Sequence, residues 1–152
     1  MRYINATNMD YTALNQAIAG HPGEVTVTHC LGQRFLAAGM KDCSLRIKGV
    51  PGNALGAYLD GADIRVYGNA QDAAGDTMNA GSIIIHGRVG DTAGYAMRGG
   101  KIYVQGDAGY RAGIHMKAYQ DKLPVLLIGG RAGSFVGEYQ AGGIIAVLGL
   151  GQ

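Results

Sequence analysis

The chain has 152 residues, of which 27 are glycine, 47% are hydrophobic and 16% are charged, with a formal net charge of +2. This apolar share argues against disorder, and glycine without a three-residue period, alongside only three prolines, excludes collagen. The small net charge, without a Lys/Arg run, gives no field that would attract nucleic acid or a membrane surface. The length suits one domain with its own core.

The amino-terminal segment predicts no targeting signal. "MRYINATNMDYTALNQAIAG" lacks the apolar region and small-residue cleavage pattern of a signal peptide, and no window approaches the roughly 18 apolar residues of a membrane helix. Cys30 and Cys43 form no CxxC motif, and two cysteines cannot supply the four thiolates of an iron–sulfur cluster. We expect a cytoplasmic protein with reduced thiols and no cofactor of its own.

A cap is predicted ahead of the repeats. Asp10 is placed to N-cap a short helix over "YTALNQAIA", and Gly20 follows its end. The alternating segment "EVTVTHC", residues 24–30, predicts a leading strand. We therefore assign residues 1–29 to a cap and residues 30–152 to the repeat domain.

The remaining chain repeats with a period of nineteen residues. Copies read "GVPGNALGAYLDGADIRVY", "GNAQDAAGDTMNAGSIIIH" and "GRVGDTAGYAMRGGKIYVQ", and a weaker copy begins at Cys30, which makes six copies in all. A first glycine opens each of the other five copies, and a second follows seven residues later; the weaker copy has Ala37 at the second position. The first glycines include Gly68, Gly87 and Gly106, and the second glycines are Gly56, Gly75, Gly94, Gly113 and Gly137.

Alternating apolar pairs, such as Ile83 with Ile85 and Ile102 with Val104, precede each new copy and predict one short strand per copy. Stacking strand on strand buries every copy, so the sequence predicts an all-β, right-handed parallel β-helix with coils about 4.8 Å apart. A left-handed β-helix of hexapeptides is the nearest alternative, but a coil of three six-residue units does not fit nineteen. The repeat glycines are expected at corners that need positive φ, or where a Cβ would strike the neighbouring coil.

Two columns of side chains are weighed as metal sites. Met40, Met78, Met97 and Met116 share one phase with Leu59, which favours an internal apolar ladder over a Cu(I) site. His29 and His86 also share a phase, but three coils separate them, about 14 Å, so they cannot share a metal ion.

Asp72 and Asp91 are stacked in neighbouring coils, in a column with Asn53, Tyr110 and Ser134. Two close carboxylates suit a proton-sharing pair or a cation site, whereas Asn, Asp and Ser after a glycine corner also make local turn hydrogen bonds. We favour the turn. GxSxG and GxxxxGK[ST] do not occur, and we find no catalytic set of residues.

The outward strand positions change along the chain, from Arg46 and Arg65 to Ile84, Tyr103 and Leu127. These last three residues predict an apolar patch that binds a partner, unless the amino-terminal segment or the inserted loop covers it. That loop, "KAYQDKLP", lengthens the fifth copy by five residues and is either a binding loop or a tolerated bulge.

The spacing GxxGxxxGxxMxxG in "GRVGDTAGYAMRGG", echoed in "GRAGSFVGEYQAGG", resembles the GXGXG-repeat family. That family includes the carboxy-terminal β-helix domain of the glutamate synthase large subunit and the C subunit of formylmethanofuran dehydrogenase. The segments "VTVTHCLGQRF" and "EYQAGGIIAVLG" look most like the separately encoded glutamate synthase domain 3.

The resemblance implies a structural role in a split glutamate synthase, in glutamate biosynthesis and ammonia assimilation. Its partners would be a glutamine amidotransferase chain and a synthase chain that carries FMN and an iron–sulfur cluster, and a homo-oligomer stays open. The repeat glycines and apolar ladders would form the scaffold, with no active-site residue in this chain. A formylmethanofuran dehydrogenase subunit in one-carbon metabolism is the first alternative. A hydrolytic β-helix enzyme is the second, but the columns offer Arg46 and Arg65 without a matching carboxylate row.

Overall fold

A computed structural model describes residues 2–21 and 23–150, which form one sheet of eight parallel strands and one short helix. The elements are β1 (Arg2–Asn5), α1 (Tyr11–Ala19), β2 (Gly23–Leu31), β3 (Cys43–Val50), β4 (Asp60–Val66), β5 (Ala80–Ile85), β6 (Lys101–Val104), β7 (Val125–Ile128) and β8 (Ile144–Val147). Strand order in the sheet equals chain order. Register partners such as Ile64 and Ile83 lie nineteen residues apart, so the chain is a β-solenoid, as the repeat predicts.

The predicted helix is confirmed at both ends. The side chain of Asp10 accepts a hydrogen bond from the N–H of Ala13 at 2.8 Å, which is the expected N-cap. Leu14 and Ile18 are fully buried at the start of the core, and Gly20 is the C-cap. The helix therefore contributes two side chains to the hydrophobic core that runs through the coils.

Strand β1 was not predicted from the sequence. It pairs in parallel with β2, so the sheet begins one strand earlier than the cap was expected to allow. Only one of its four side chains, Ile4, is buried. An alternation of apolar and polar residues cannot be recognised from one apolar residue.

The interior consists of apolar columns that run through successive coils. All members of the column Leu45, Ile64, Ile83, Ile102 and Leu126 are buried. The predicted ladder of Leu59, Met78, Met97 and Met116 is also buried, with Met40 packed against it. Burial of each such side chain contributes roughly 1.5–3 kcal/mol, so this column stabilises the core, as the favoured apolar ladder would.

The second glycines satisfy two requirements at once. All five have φ between 64° and 70°: Gly56, Gly75, Gly94, Gly113 and Gly137. Positive φ alone does not demand glycine here, because Ala73 and Thr77 on either side of Gly75 also adopt it. A Cβ on Gly75, however, would meet Cδ1 of the buried Ile102. Glycine thus supplies the left-handed turn and leaves space for the interior column.

The first glycines work by close approach. Gly68, Gly87 and Gly106 do not have positive φ, and each N–H of Gly87 and Gly106 donates to the carbonyl of the first glycine one coil earlier, at 2.8 Å. A Cβ on Gly106 would lie 2.8 Å from the carbonyl oxygen of Gly87. At Gly68, Gly87 and Gly106 glycine thus serves close approach alone, whereas second glycines such as Gly75 combine positive φ with lack of space for a Cβ.

Candidate functional site

The outward side chains of β2 to β8 form what we call the outer sheet face. Its central column is fixed by the register of the strands: Thr26, Arg46, Arg65, Ile84, Tyr103, Leu127 and Ala146. Ile84, Tyr103 and Leu127 are thus stacked in three neighbouring strands, as predicted, and each is half-buried. They form a continuous apolar strip that solvent still reaches.

The outer sheet face divides into a charged half and an apolar half. Arg46 and Arg65 are exposed in the central column of the charged half. In the apolar half the neighbouring column passes through one exposed charge, Lys101, before it ends with Val125 and Ile144, of which Ile144 is 48% exposed. Because stacked coils repeat the same geometry, this change in chemistry comes from the side chains alone.

The charged half contains a cavity of about 390 Å³ beside the apolar strip, lined by Ser44, Leu45, Arg46, Asp63, Ile64, Arg65, Ser82 and Ile84. Three of its polar side chains already have partners. Ser82 Oγ donates to Asp63 Oδ1 at 2.7 Å, and Arg46 Nε lies 3.2 Å from Glu24 Oε1. Within residues 2–21 and 23–150, Arg65 makes no ion pair.

The segments expected as possible covers of the apolar strip make their contacts elsewhere. Strand β1 pairs with the edge of β2, and α1 packs its buried side chains into the core. In the inserted loop, Tyr119 and Lys122 form a small antiparallel bridge, and the Tyr119 ring stacks under the Arg98 guanidinium, 4.3 Å from the centroid.

The aspartate column has a structural use that corrects the sequence interpretation. Asp72 Oδ1 accepts from the N–H of Asp91 at 2.7 Å, and Asp91 Oδ1 accepts from the N–H of Tyr110 at 2.8 Å. These bonds join neighbouring coils and are not local to one turn, because donor and acceptor are nineteen residues apart. In each of the two carboxylates, Oδ1 accepts from a backbone N–H of the next coil.

The same arrangement recurs where Asn69 accepts from Arg88 N–H and Asp107 accepts from Arg131 N–H, at 3.0 and 2.8 Å. A glycine precedes each of these two donors, and a Cβ there would strike the accepting oxygen. This arrangement has a sequence signal: in the regular copies, Asn or Asp is followed eighteen residues later by glycine. The sequence analysis did not use this signal.

Exposed aromatic side chains form a second feature that sequence reasoning missed. His115 stacks on Tyr139 with ring centroids 5.1 Å apart, and Tyr95 meets His115 edge-on at 5.7 Å. We call these three residues the turn-side cluster, because they lie on the segments between strands. His115 and Tyr139 share one phase of the repeat and Tyr95 has the phase before it, so the sequence places the three residues near one another without encoding their stacking.

The remaining candidates show no reactive arrangement. His86 stacks on Tyr67 at 5.1 Å, and no group of three or more His, Cys, Asp or Glu side chains in the described ranges is placed to hold a metal ion. Burial raises the pKa of the Cys30 thiol to about 11, and its Sγ donates to Gln33 Oε1 at 3.3 Å. Burial, followed by the nearby Asp63 carboxylate, also raises the pKa of Cys43. Neither thiol is therefore activated as a nucleophile.

These features define a repeat protein with a β-solenoid fold and a chemically divided outer sheet face. Residues 9–151 match the GXGXG motif family, and the chain belongs to that family. It is similar to an uncharacterized protein of Methanocaldococcus jannaschii, with 50% identity over 157 residues, covering 98% of this chain. The chain spans about 60% of the length of that relative.

No solved structure matches the chain. Among the described residues, none of the helical structure is long and apolar enough to span a membrane.

Proposed function

We propose that the chain is a non-catalytic structural subunit or domain of a split glutamate synthase. In this role it holds a glutamine amidotransferase chain and a synthase chain in register in the cytoplasm, and the synthase chain carries the FMN and the iron–sulfur cluster. Membership of the GXGXG motif family supports the proposal. The resemblance of "VTVTHCLGQRF" and "EYQAGGIIAVLG" to glutamate synthase domain 3 supports the choice within the family.

The observation that carries the docking role is the apolar strip on the outer sheet face. Ile84, Tyr103 and Leu127 are aligned by strand register at positions where a free-standing solenoid has no use for apolar side chains. A partner that covers them gains hydrophobic burial of about 25 cal/mol per Å². The strip lies on strands that are paired on both sides, so its geometry is fixed before a partner arrives.

A rigid body without chemistry of its own still serves a two-step reaction. The amidotransferase releases ammonia from glutamine, and the synthase adds it to 2-oxoglutarate. Holding the two chains on one solenoid replaces a bimolecular encounter by a fixed separation, which raises the effective concentration of one site at the other.

The test is reconstitution from purified chains. The chain is mixed with an amidotransferase chain and an FMN and iron–sulfur synthase chain, and complex mass and glutamine-dependent glutamate formation are measured. We expect one complex that contains all three chains and loses coupled activity when this chain is omitted. Binding to pterin-enzyme subunits instead would favour the formylmethanofuran dehydrogenase alternative, and a stable homo-oligomer that binds neither partner would contradict the proposal.

A further inference from the structure

We infer that the outer sheet face binds an amphipathic α-helix of a partner chain, laid across the strands along the solenoid axis. Three apolar side chains of that helix, one per turn, cover Leu127, Tyr103 and Ile84, and a carboxylate on the next turn meets Arg65. The inference rests on the proposed function only in taking this face as a docking surface, and it names the chemistry of the partner that fits it.

A helix fits this face better than an extended strand does. The strands β4 to β7 under the strip each pair on both sides, so their backbone N–H and C=O groups are occupied within the sheet. A strand added on top would gain no ladder hydrogen bonds and would leave its own backbone groups without partners. A helix satisfies its backbone internally and presents only side chains.

The spacing of the strip matches the pitch of a helix. Successive side chains of the column are one strand apart, about 4.8 Å, and a helix rises about 5.4 Å per turn. Over the three steps from Leu127 to Arg65 the two repeats drift apart by only about 2 Å, which side chains absorb by choice of rotamer. The fitting pattern is therefore apolar residues at i, i+4 and i+7 and an acidic residue at i+11.

The charge of Arg65, at the end of the strip, determines which residue fits at position i+11 of the partner helix. Arg65 is the register partner of Ile84, is exposed, and makes no ion pair within the described ranges. Its neighbour Arg46 is instead paired with Glu24. The 390 Å³ cavity reaches from these arginines to Ile84 and gives room for an incoming carboxylate; Asp63 also lines it, but its Oδ1 accepts from Ser82 Oγ. A carboxylate matches a guanidinium in shape and charge, and the negative end of a helix dipole favours the helix C-terminus at Arg65.

The experiment is a selection on the whole purified chain. A library of 18-residue helices, held in a helical hairpin scaffold, is randomised at the four facing positions and selected for binding. We expect large apolar residues at i, i+4 and i+7 and Asp or Glu at i+11. Against the Arg65→Glu chain, the selected residue at i+11 should change to Lys or Arg, and wild-type binders should lose affinity at least tenfold.

Matched variants separate the outcomes. Arg111→Glu makes the same charge change outside the sheet, where Arg111 stacks on Phe135, and it should leave affinity within about twofold. Tyr103→Ser should abolish enrichment. The inference is overturned if no helix is enriched, if the enriched residues at i+11 ignore the Arg65→Glu change, or if binders survive Tyr103→Ser. Since the reconstituted complex is measured separately, its formation without sensitivity to Arg65→Glu would reject this inference and keep the proposed function.

Discussion

The interior columns and the outer sheet face use the same strands in opposite ways. Inside, each coil repeats one solution, as in the column from Leu45 through Ile83 to Leu126, because every coil must stack on the last. Outside, the column alters from Arg65 to Ile84 within one strand step. Where the repeat is kept, stacking requires it. On the outer sheet face the side chains can differ between coils without disturbing the stacking, so they are available for binding.

The strongest way to break the interior is Gly94→Val. Gly94 has φ of +70°, and a β-branched residue there combines a disfavoured backbone with methyl groups directed at the buried column. We expect loss of the cooperative thermal transition in far-UV circular dichroism and loss of soluble protein. Thr92→Val is the control, since it keeps a β-branched side chain at φ of 58° and should melt within a few degrees of wild type.

Alanine at two second glycines sharpens the argument. A Cβ at Gly94 has ordinary contact with Leu126 at 3.4 Å, so Gly94→Ala should cost about 1 kcal/mol of backbone strain. Gly75→Ala should cost about 1–3 kcal/mol more, because its Cβ meets Cδ1 of the buried Ile102. Ala37 occupies the second-glycine position in the first copy with φ of 58°, so this position of the repeat accepts alanine where space allows. Equal denaturation midpoints for the two variants would contradict the steric explanation.

Much of this interior was predictable from the sequence, because stacking copies a chemical requirement into every repeat. The period of nineteen fixes which residues share a column, so the strands and the methionine ladder follow from Met78 and Met97 occurring at one phase. The helix followed from the Asp10 cap. Strand β1 did not follow, since Ile4 alone carries no period.

The site was predictable only in part. The alignment of Ile84, Tyr103 and Leu127 follows from the period, but whether they are covered depends on where non-repeating segments pack. The hydrogen-bond partner of the Asp72 carboxylate was also not predicted, because local turns and bonds between coils use the same residue types. Stacking among Tyr95, His115 and Tyr139 depends on side-chain rotamers, which no pattern encodes.

A smaller effect is expected from the carboxylates that join the coils. Asp91→Ala removes the acceptor for the N–H of Tyr110, and we expect a loss of about 1 kcal/mol in the free energy of unfolding. Asp91→Asn keeps an oxygen acceptor and should retain most of that stability. If Asn and Ala were equally destabilising, the charge of Asp91 would be what matters, and the hydrogen bond would not explain the column. Urea titration at fixed salt measures all three chains.

The last expected effect concerns the outer sheet face, where binding should respond more than folding. Changing Ile84, Tyr103 and Leu127 together to Ser should lower the free energy of unfolding by about 2–4 kcal/mol in total, because each side chain is only half-buried, while binding to partner chains should fall at least tenfold. The matched control is Ile83→Ser, one residue away on the same strand but fully buried, which should cost about 3 kcal/mol or more. A triple variant that fails to fold would show that the strip belongs to the core. A triple variant that folds and binds undiminished would place the partner on another surface, with the turn-side cluster as the next to test.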